Sequence, residues 1–225
     1  MHFDLFTVLT ETKVKFNGVI QAGAHHGQEL QAFERLGIKE LYLFEPAHEA
    51  FARLVGQRDD LVKLGEHTLL RETAHGERFN YINCALGSEN KTAPMFIETA
   101  NSGQSNSLLE PHIHTEQFPH IVFAEKREVP VYRLDDYFVK IPVPSKTPNL
   151  LVMDVQGYEL EVLKGAETTL KSVDVIVTEI SAAELYKGCV IFADLKNYLY
   201  ERGFNLYLWN WAGGTYGDGV FIKSR

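Results

Sequence analysis

Short apolar runs alternate along this chain with segments in which apolar residues recur every three or four positions. This is the pattern of a mostly parallel sheet wrapped by helices. Val19-Ile20-Gln21-Ala22-Gly23 reads as a first strand. Leu30, Phe33 and Leu36 then fall at helical spacing, and Gly37 stands where a helix C-cap glycine belongs. Leu41–Phe44 is a second strand, Ala50, Phe51, Leu54 and Val55 mark a helix, and Phe79–Cys84 is a third strand. The rhythm breaks between Gly87 and Leu134, where Thr92–Glu98 is strand-like, residues 101–107 are loop chemistry, and Pro111, Pro119 and Pro130 follow. It resumes with a strand at Leu150–Met153 and a helix carrying Leu160, Val162, Leu163 and Ala166. A strand at Val173–Thr178 and a helix over Phe192–Arg202, ended by Gly203, come next. Asn205–Trp211 and Gly219–Lys223 then form an antiparallel hairpin across Gly213-Gly214. No repeat, low-complexity tract or linker divides the 225 residues, so a single domain over 1–225 is expected.

Charge narrows the partners. Lys and Arg number 22 against 30 Asp and Glu, a net charge of −8, and no basic run is present. Nucleic acid and anionic membranes are therefore not expected partners. Cys84 and Cys189 are far apart and form no CxxC pair, which fits a reducing, cytoplasmic setting. The first fourteen residues mix Asp4, Glu11 and Lys13 with apolar residues, unlike a signal peptide. No apolar run approaches the roughly 20 residues that span a bilayer, so membrane insertion is not expected.

The chemistry gathers at strand ends. In open α/β sheets, ligands bind beyond the C-terminal strand ends, where strand order reverses. The first strand runs into Gly23-Ala24-His25-His26-Gly27 and then a helix. That spacing is G-x-x-x-G rather than the G-x-G-x-x-G of a dinucleotide site, and alone it is also an ordinary strand–helix turn. Glu45, at the end of the second strand, lies near the ~20-residue offset at which a carboxylate takes ribose hydroxyls. Together they point to a nucleoside-bearing cofactor. The third strand ends in Asn83-Cys84-Ala85-Leu86-Gly87, small and apolar groups suited to an adenine slot. Asp154 follows four apolar residues and is held at the sheet edge, as a helix cap or as a group facing the crevice. Glu179 follows another apolar strand and points to the same crevice mouth.

The segments Val19–Glu29, Phe44–Pro46, Asn83–Gly87, Gln104–Leu109 and Met153–Ala166 together resemble the FkbM family of S-adenosylmethionine (SAM)-dependent methyltransferases. Thr178–Ser181 and Leu195–Phe204 also fit, so the resemblance covers nearly all of residues 17–223. It implies a Rossmann-like class I methyltransferase fold: a seven-stranded, mostly parallel sheet with an antiparallel last strand and helices on both faces. It also implies SAM as cofactor and O-methylation of a sugar, glycan or related polar small molecule. By position, Gly23, Ala24, His25 and Gly27 wrap the methionine part of SAM, Glu45 holds the ribose, and Asn83 and Ala85 flank the adenine. Asp154, with Val155 beside it, stands near the methionine amino group or the reacting centre. One departure stands out: Gln21 occupies a position where many members carry Asp, which removes a negative charge from the cofactor site.

A sugar hydroxyl needs a base, for which Asp154 and Glu179 lead, with His26 and Glu159 behind them. A carboxylate serves only if its pKa is raised, whereas a histidine titrates near neutrality without help. Ser105, Asn106 and Ser107 form a polar loop able to face the acceptor, or simply a solvated one. His25/His26 and His112/His114 raise the question of a metal, but no H-x-x-x-H helix or carboxylate triad accompanies them, so none is expected. The expected partners are a small-molecule or glycan acceptor and, at most, a second copy of the chain as a homodimer. Other readings are an NAD(P)-dependent oxidoreductase, a non-catalytic SAM-fold binding module, and a methyltransferase acting on nitrogen or carbon.

Overall fold

The computed structural model describes residues 2–140 and 147–224. In chain order it has α1 (Leu5–Glu11), β1 (Val19–Ala22), α2 (Leu30–Arg35), β2 (Glu40–Phe44) and α3 (His48–Val55). Then come β3 (Val62–Lys63), β4 (Thr68–Glu72), β5 (Arg78–Ile82), β6 (Ala85–Leu86) and β7 (Lys91–Glu98). α4 (His114–Gln117), β8 (Phe123–Tyr132), α5 (Leu134–Lys140), β9 (Leu150–Met153) and α6 (Glu159–Lys164) follow. The chain closes with β10 (Val175–Ser181), α7 (Phe192–Tyr200), β11 (Phe204–Trp211) and β12 (Tyr216–Lys223).

The main sheet runs β11-β12-β10-β9-β1-β2-β5-β4-β3. Its middle, β5-β2-β1-β9-β10, is parallel, and β12 lies antiparallel between β10 and β11. The seven strands expected from the sequence are thus present with their reversed last strand, and β4 and β3 extend the edge to nine. Side chains alternate across this sheet with period two. Ile20, Tyr42, Phe44, Leu151, Met153 and Ile176 face the core that holds α5, α6 and α7. Val19, Leu41, Leu43, Leu150, Val152 and Val175 face the opposite core, with α1, α2 and α3. Strands covered on both faces read as unbroken apolar runs, which is why the periodicity located them so closely.

The irregular stretch holds more structure than expected. β6, β8 and β7 form a second, three-stranded sheet whose Met95, Ile97, Val129 and Val131 pack on Ala47 and Ala50 at the start of α3. Pro130 reads as a break in the sequence but lies within β8. Up to Pro130, β8 is bordered only by β7, so a residue that donates no hydrogen bond is tolerated there. The third strand of the main sheet also stops earlier than expected, at Ile82, leaving Asn83 and Cys84 in the turn that follows. β10 continues past Glu179 to Ser181 because β12 supports it there.

Among the described residues no helix is long and apolar enough to cross a membrane.

Candidate active site

Strand order reverses between β1 and β9, and the turns after β1, β2, β5 and β9 converge above that point on a cavity of ≈ 690 Å³. Gly23 opens the turn after β1 with φ +79, and a Cβ there would stand 2.0 Å from the Asp154 carbonyl. Glycine is required because the β1 and β9 turns touch, as well as to admit a ligand. The amides of Gly23 and Ala24 both donate to the Phe44 carbonyl at 2.9 Å, tying the turn to the end of β2.

Glu45 organises this half of the cavity. One carboxylate oxygen accepts from the His25 amide and the other from the Ala47 amide, each at 2.8 Å. Each oxygen keeps a second lone pair, and the side chain lines the cavity. Burial pushes its pKa up to about 7 against the pull of the two amides. Next to it, Cys84, Ala85, Leu86 and Met95 give the cavity an apolar wall.

The other expected cofactor residues divide. Gly23, His25, Ala85, Asp154 and Val155 line the cavity, whereas Gln21, Ala24, Gly27 and Asn83 stand behind it. Asn83 donates its side-chain amide to the Glu45 and Pro46 carbonyls at 2.9 and 3.3 Å, so it holds the exit of β2. Gln21 donates to Glu29 at 2.8 Å, and Glu29, unremarked in the sequence, lies in the cavity wall.

On the opposite side, Gln156 binds two carboxylates at once. Its Nε2 donates to Asp154 at 2.7 Å and to Glu179 at 2.8 Å, while its Oε1 lies 3.0 Å from the Tyr186 hydroxyl. Gln156 reaches this position with φ +53, a left-handed conformation uncommon for a side-chain-bearing residue. Asp218 faces Glu179 across the β10–β12 ladder and also lines the cavity. Glu179 is half-buried and lines the cavity. Burial, then the charges of Asp154, Glu159 and Asp218, hold its pKa well above the usual carboxylate range. Burial likewise raises Asp218, whose carboxylate accepts from the His2 amide.

The two reserve candidates for the base point elsewhere. Glu159 turns back on its own loop, accepting from the Val155 and Gly157 amides at 3.3 and 3.2 Å, and is only 3% exposed. Its carboxyl, pushed to about 7 by burial, is outside the cavity wall. Glu159 thus braces the turn that leads into α6. His26 stacks on His25 with ring centroids 3.7 Å apart, close to Arg53, and is also outside the wall. Burial first, then His25 and Arg53, depress its pKa.

The Ser105–Ser107 loop does cover the cavity. The Glu98 carboxylate accepts from the amides of Ala100 and Asn101 at 2.8 and 2.7 Å and gives the loop its shape. Asn106 accepts from the Glu98 amide at 2.9 Å. The Ser107 hydroxyl is committed, donating to the Gln156 carbonyl at 2.7 Å and accepting from the Leu109 amide at 3.0 Å. His25 clasps the loop through Ser102 at 2.9 Å. Beyond it, Phe118, Tyr216 and His114 complete the roof. His114 is 5% exposed, packs on Phe118, Phe123 and Tyr186, and has no partner for Nδ1. Burial lowers its pKa, so the ring is neutral at pH 7. Among the described residues, no group of three or more His, Cys, Asp or Glu is placed to hold a metal ion.

Comparison with known proteins identifies the family. Residues 21–206 match the family described as the methyltransferase FkbM domain. The 2-O-methyltransferase NoeI of Sinorhizobium fredii (strain NBRC 101917 / NGR234) is 29% identical over 171 residues, 76% of this chain and 65% of its own length. The chain therefore spans just under two thirds of that relative. Among solved structures, the magnesium protoporphyrin IX methyltransferase of Synechocystis PCC 6803 with bound SAM aligns over 98% of this chain and 76% of its own, with a TM-score of 0.50 and 7% identity. At that identity the likeness is one of fold.

The residues present fit SAM. Glu45 offers acceptors of the kind a ribose diol needs, Cys84–Leu86 give an apolar wall of the kind an adenine needs, and Glu29, Asp154, Glu179 and Asp218 bring acidic side chains to the cavity, which suits a cationic cofactor. With a family match over residues 21–206, most of its length, the chain belongs to the FkbM methyltransferase family, whose cofactor is S-adenosylmethionine.

Proposed function

We propose that the chain methylates a hydroxyl group of a saccharide or glycan. The observation that carries this reading is the pair Asp154 and Glu179, locked by Gln156 and facing the cavity under a roof of Phe118, Tyr216 and neutral His114. Aromatic faces beside carboxylates suit a sugar ring, whose C–H faces are apolar and whose rim is a ring of donors. The name of the Sinorhizobium relative, a 2-O-methyltransferase, supports oxygen as the atom methylated.

When bound, SAM supplies an activated methyl group on sulfonium sulfur. The chain supplies alignment, which contributes about 7–11 kcal/mol in well-oriented reactions. Asp154 and Glu179 would receive the acceptor hydroxyl, and one of them would take the proton the oxygen gives up, while the methyl group would come from the sulfonium, whose C–S bond breaks to leave a neutral thioether. Gln156 prevents the two carboxylates from turning away. A raised pKa makes Glu179 a stronger base than an ordinary carboxylate once it is ionised.

The direct test is a screen of nucleotide sugars and glycans with methyl-labelled SAM. Label in an alkali-stable O-methyl sugar is expected, and transfer confined to nitrogen or carbon acceptors would sink the proposal. Glu45→Ala is expected to weaken SAM by about 1–3 kcal/mol in calorimetric titration, because it removes a buried acceptor of ribose hydroxyls. Unchanged affinity would show that the ribose lies elsewhere. Turnover is expected to survive EDTA, since the carboxylates here hold one another through Gln156. Loss on chelation with rescue by magnesium would recast Asp154 and Glu179 as metal ligands.

A further inference from the structure

We propose that Glu29, braced by Gln21, is the carboxylate that receives the α-ammonium of the cofactor's methionine arm. Gln21 is 1% exposed, stands in β1 one residue before its end, and spends its Nε2 on Glu29 at 2.8 Å. Its Oε1 is buried with no hydrogen-bond partner, so the amide is placed for the sake of Glu29 and not for a network of its own. Glu29 reaches the cavity from the turn before α2, where its carbonyl accepts from Ala32 and Phe33 at 2.9 and 3.2 Å and anchors it. It thus brings a negative charge to the β1 turn, which Gln21 itself does not.

The surroundings want a cation. Asp154 lies on the adjoining β9 turn, whose carbonyl the Gly23 turn touches, and its charge opposes ionisation of Glu29. Burial opposes it more strongly, and the Gln21 hydrogen bond only partly compensates. An ammonium placed between the two carboxylates relieves both penalties. Of the groups SAM carries, the α-ammonium is the one that can donate hydrogen bonds to a carboxylate as well as offer charge. Glu45, on the other side of the Gly23 turn, is left to the ribose.

This inference rests on the cofactor and is independent of which acceptor is methylated. Two ligands separate it from a structural role: S-adenosylhomocysteine, which carries the ammonium, and 5′-methylthioadenosine, which has the same nucleoside and a thioether but no amino acid. Titrated against Glu29→Gln, the first is expected to lose affinity on the order of ten- to a hundredfold and the second to bind as to the parent protein. Gln21→Leu, which removes the brace and keeps the charge, should shift the same ligand in the same direction by less. If S-adenosylhomocysteine binds Glu29→Gln undiminished, the ammonium is held elsewhere. Equal losses for both ligands would make Glu29 a support of the turn, which also overturns the assignment.

Discussion

Glu179→Gln is expected to lower kcat on the saccharide acceptor by about 10²–10⁴-fold while leaving SAM affinity within about threefold of the parent. The amide keeps the shape and can still hydrogen-bond, but it cannot take a proton. Asp154→Asn is expected to lower kcat too, with a larger rise in the SAM dissociation constant, because the charge of Asp154 acts on Glu29, the proposed receiver of the cofactor's ammonium. The two variants therefore differ in how their losses divide between turnover and binding. Gln156→Leu tests the arrangement itself. It removes the donors that fix both carboxylates, and should cost kcat with little effect on SAM. Should Glu179→Gln and Asp154→Asn both turn over at the parent rate, neither carboxylate is the base. Catalysis would then rest on alignment.

Why these residues were legible while others were not follows from where each one's partners lie in the chain. Asp154 and Glu179 follow apolar strands, and any parallel sheet delivers such positions to one edge, so periodicity alone brings them together. Glu45 and Gly23 are legible for the same reason. Asp218 is not, because it enters through an antiparallel pairing with Glu179 that local pattern does not reveal, although a carboxylate between Gly217 and Gly219 in an apolar strand was a signal. Glu29 does not stand out, because its bond to Gln21 joins residues eight apart across a turn that local pattern does not reveal. Glu159 and His26 had suitable chemistry in suitable neighbourhoods, but rotamer and turn geometry aim them away from the cavity. The second sheet escaped notice because β8 carries exposed charges at Glu125, Lys126 and Glu128 and a proline near its end. A half-solvated strand of this kind leaves a weak apolar signature.

The ligand-free protein is expected to be most stable near pH 5 and to lose stability steadily towards pH 8. Glu45 and Glu159 hold their protons in the folded state up to about 7, against an ordinary value of 4.5, and burial with neighbouring carboxylates likewise raises Glu179 well above 4.5. Between those limits the unfolded chain has released these protons and the folded chain has not. Fewer protons are then bound in the unfolded state, and stability falls as pH rises. Each group contributes a slope of at most about 1.4 kcal/mol per pH unit within its own window. On the acid side the sign reverses. Burial aside, paired carboxylates such as Glu49 with Arg127 and Glu167 with Arg202 sit below their ordinary values, and their contribution is lost as pH falls through that range. These pairs are exposed, so screening keeps their share small. The melting temperature measured from pH 5 to 8 should therefore decline, and Glu179→Gln should flatten the decline by removing one buried acid. Saturating SAM should flatten it further, since a cationic cofactor favours the ionised carboxylates and its affinity rises with pH for the same reason. A melting temperature that climbs from pH 5 to 8 would mean that these carboxylates are already ionised in the free protein. The cavity would then hold its negative charge through compensation by other groups, and Glu179 would be a weaker base than its burial implies.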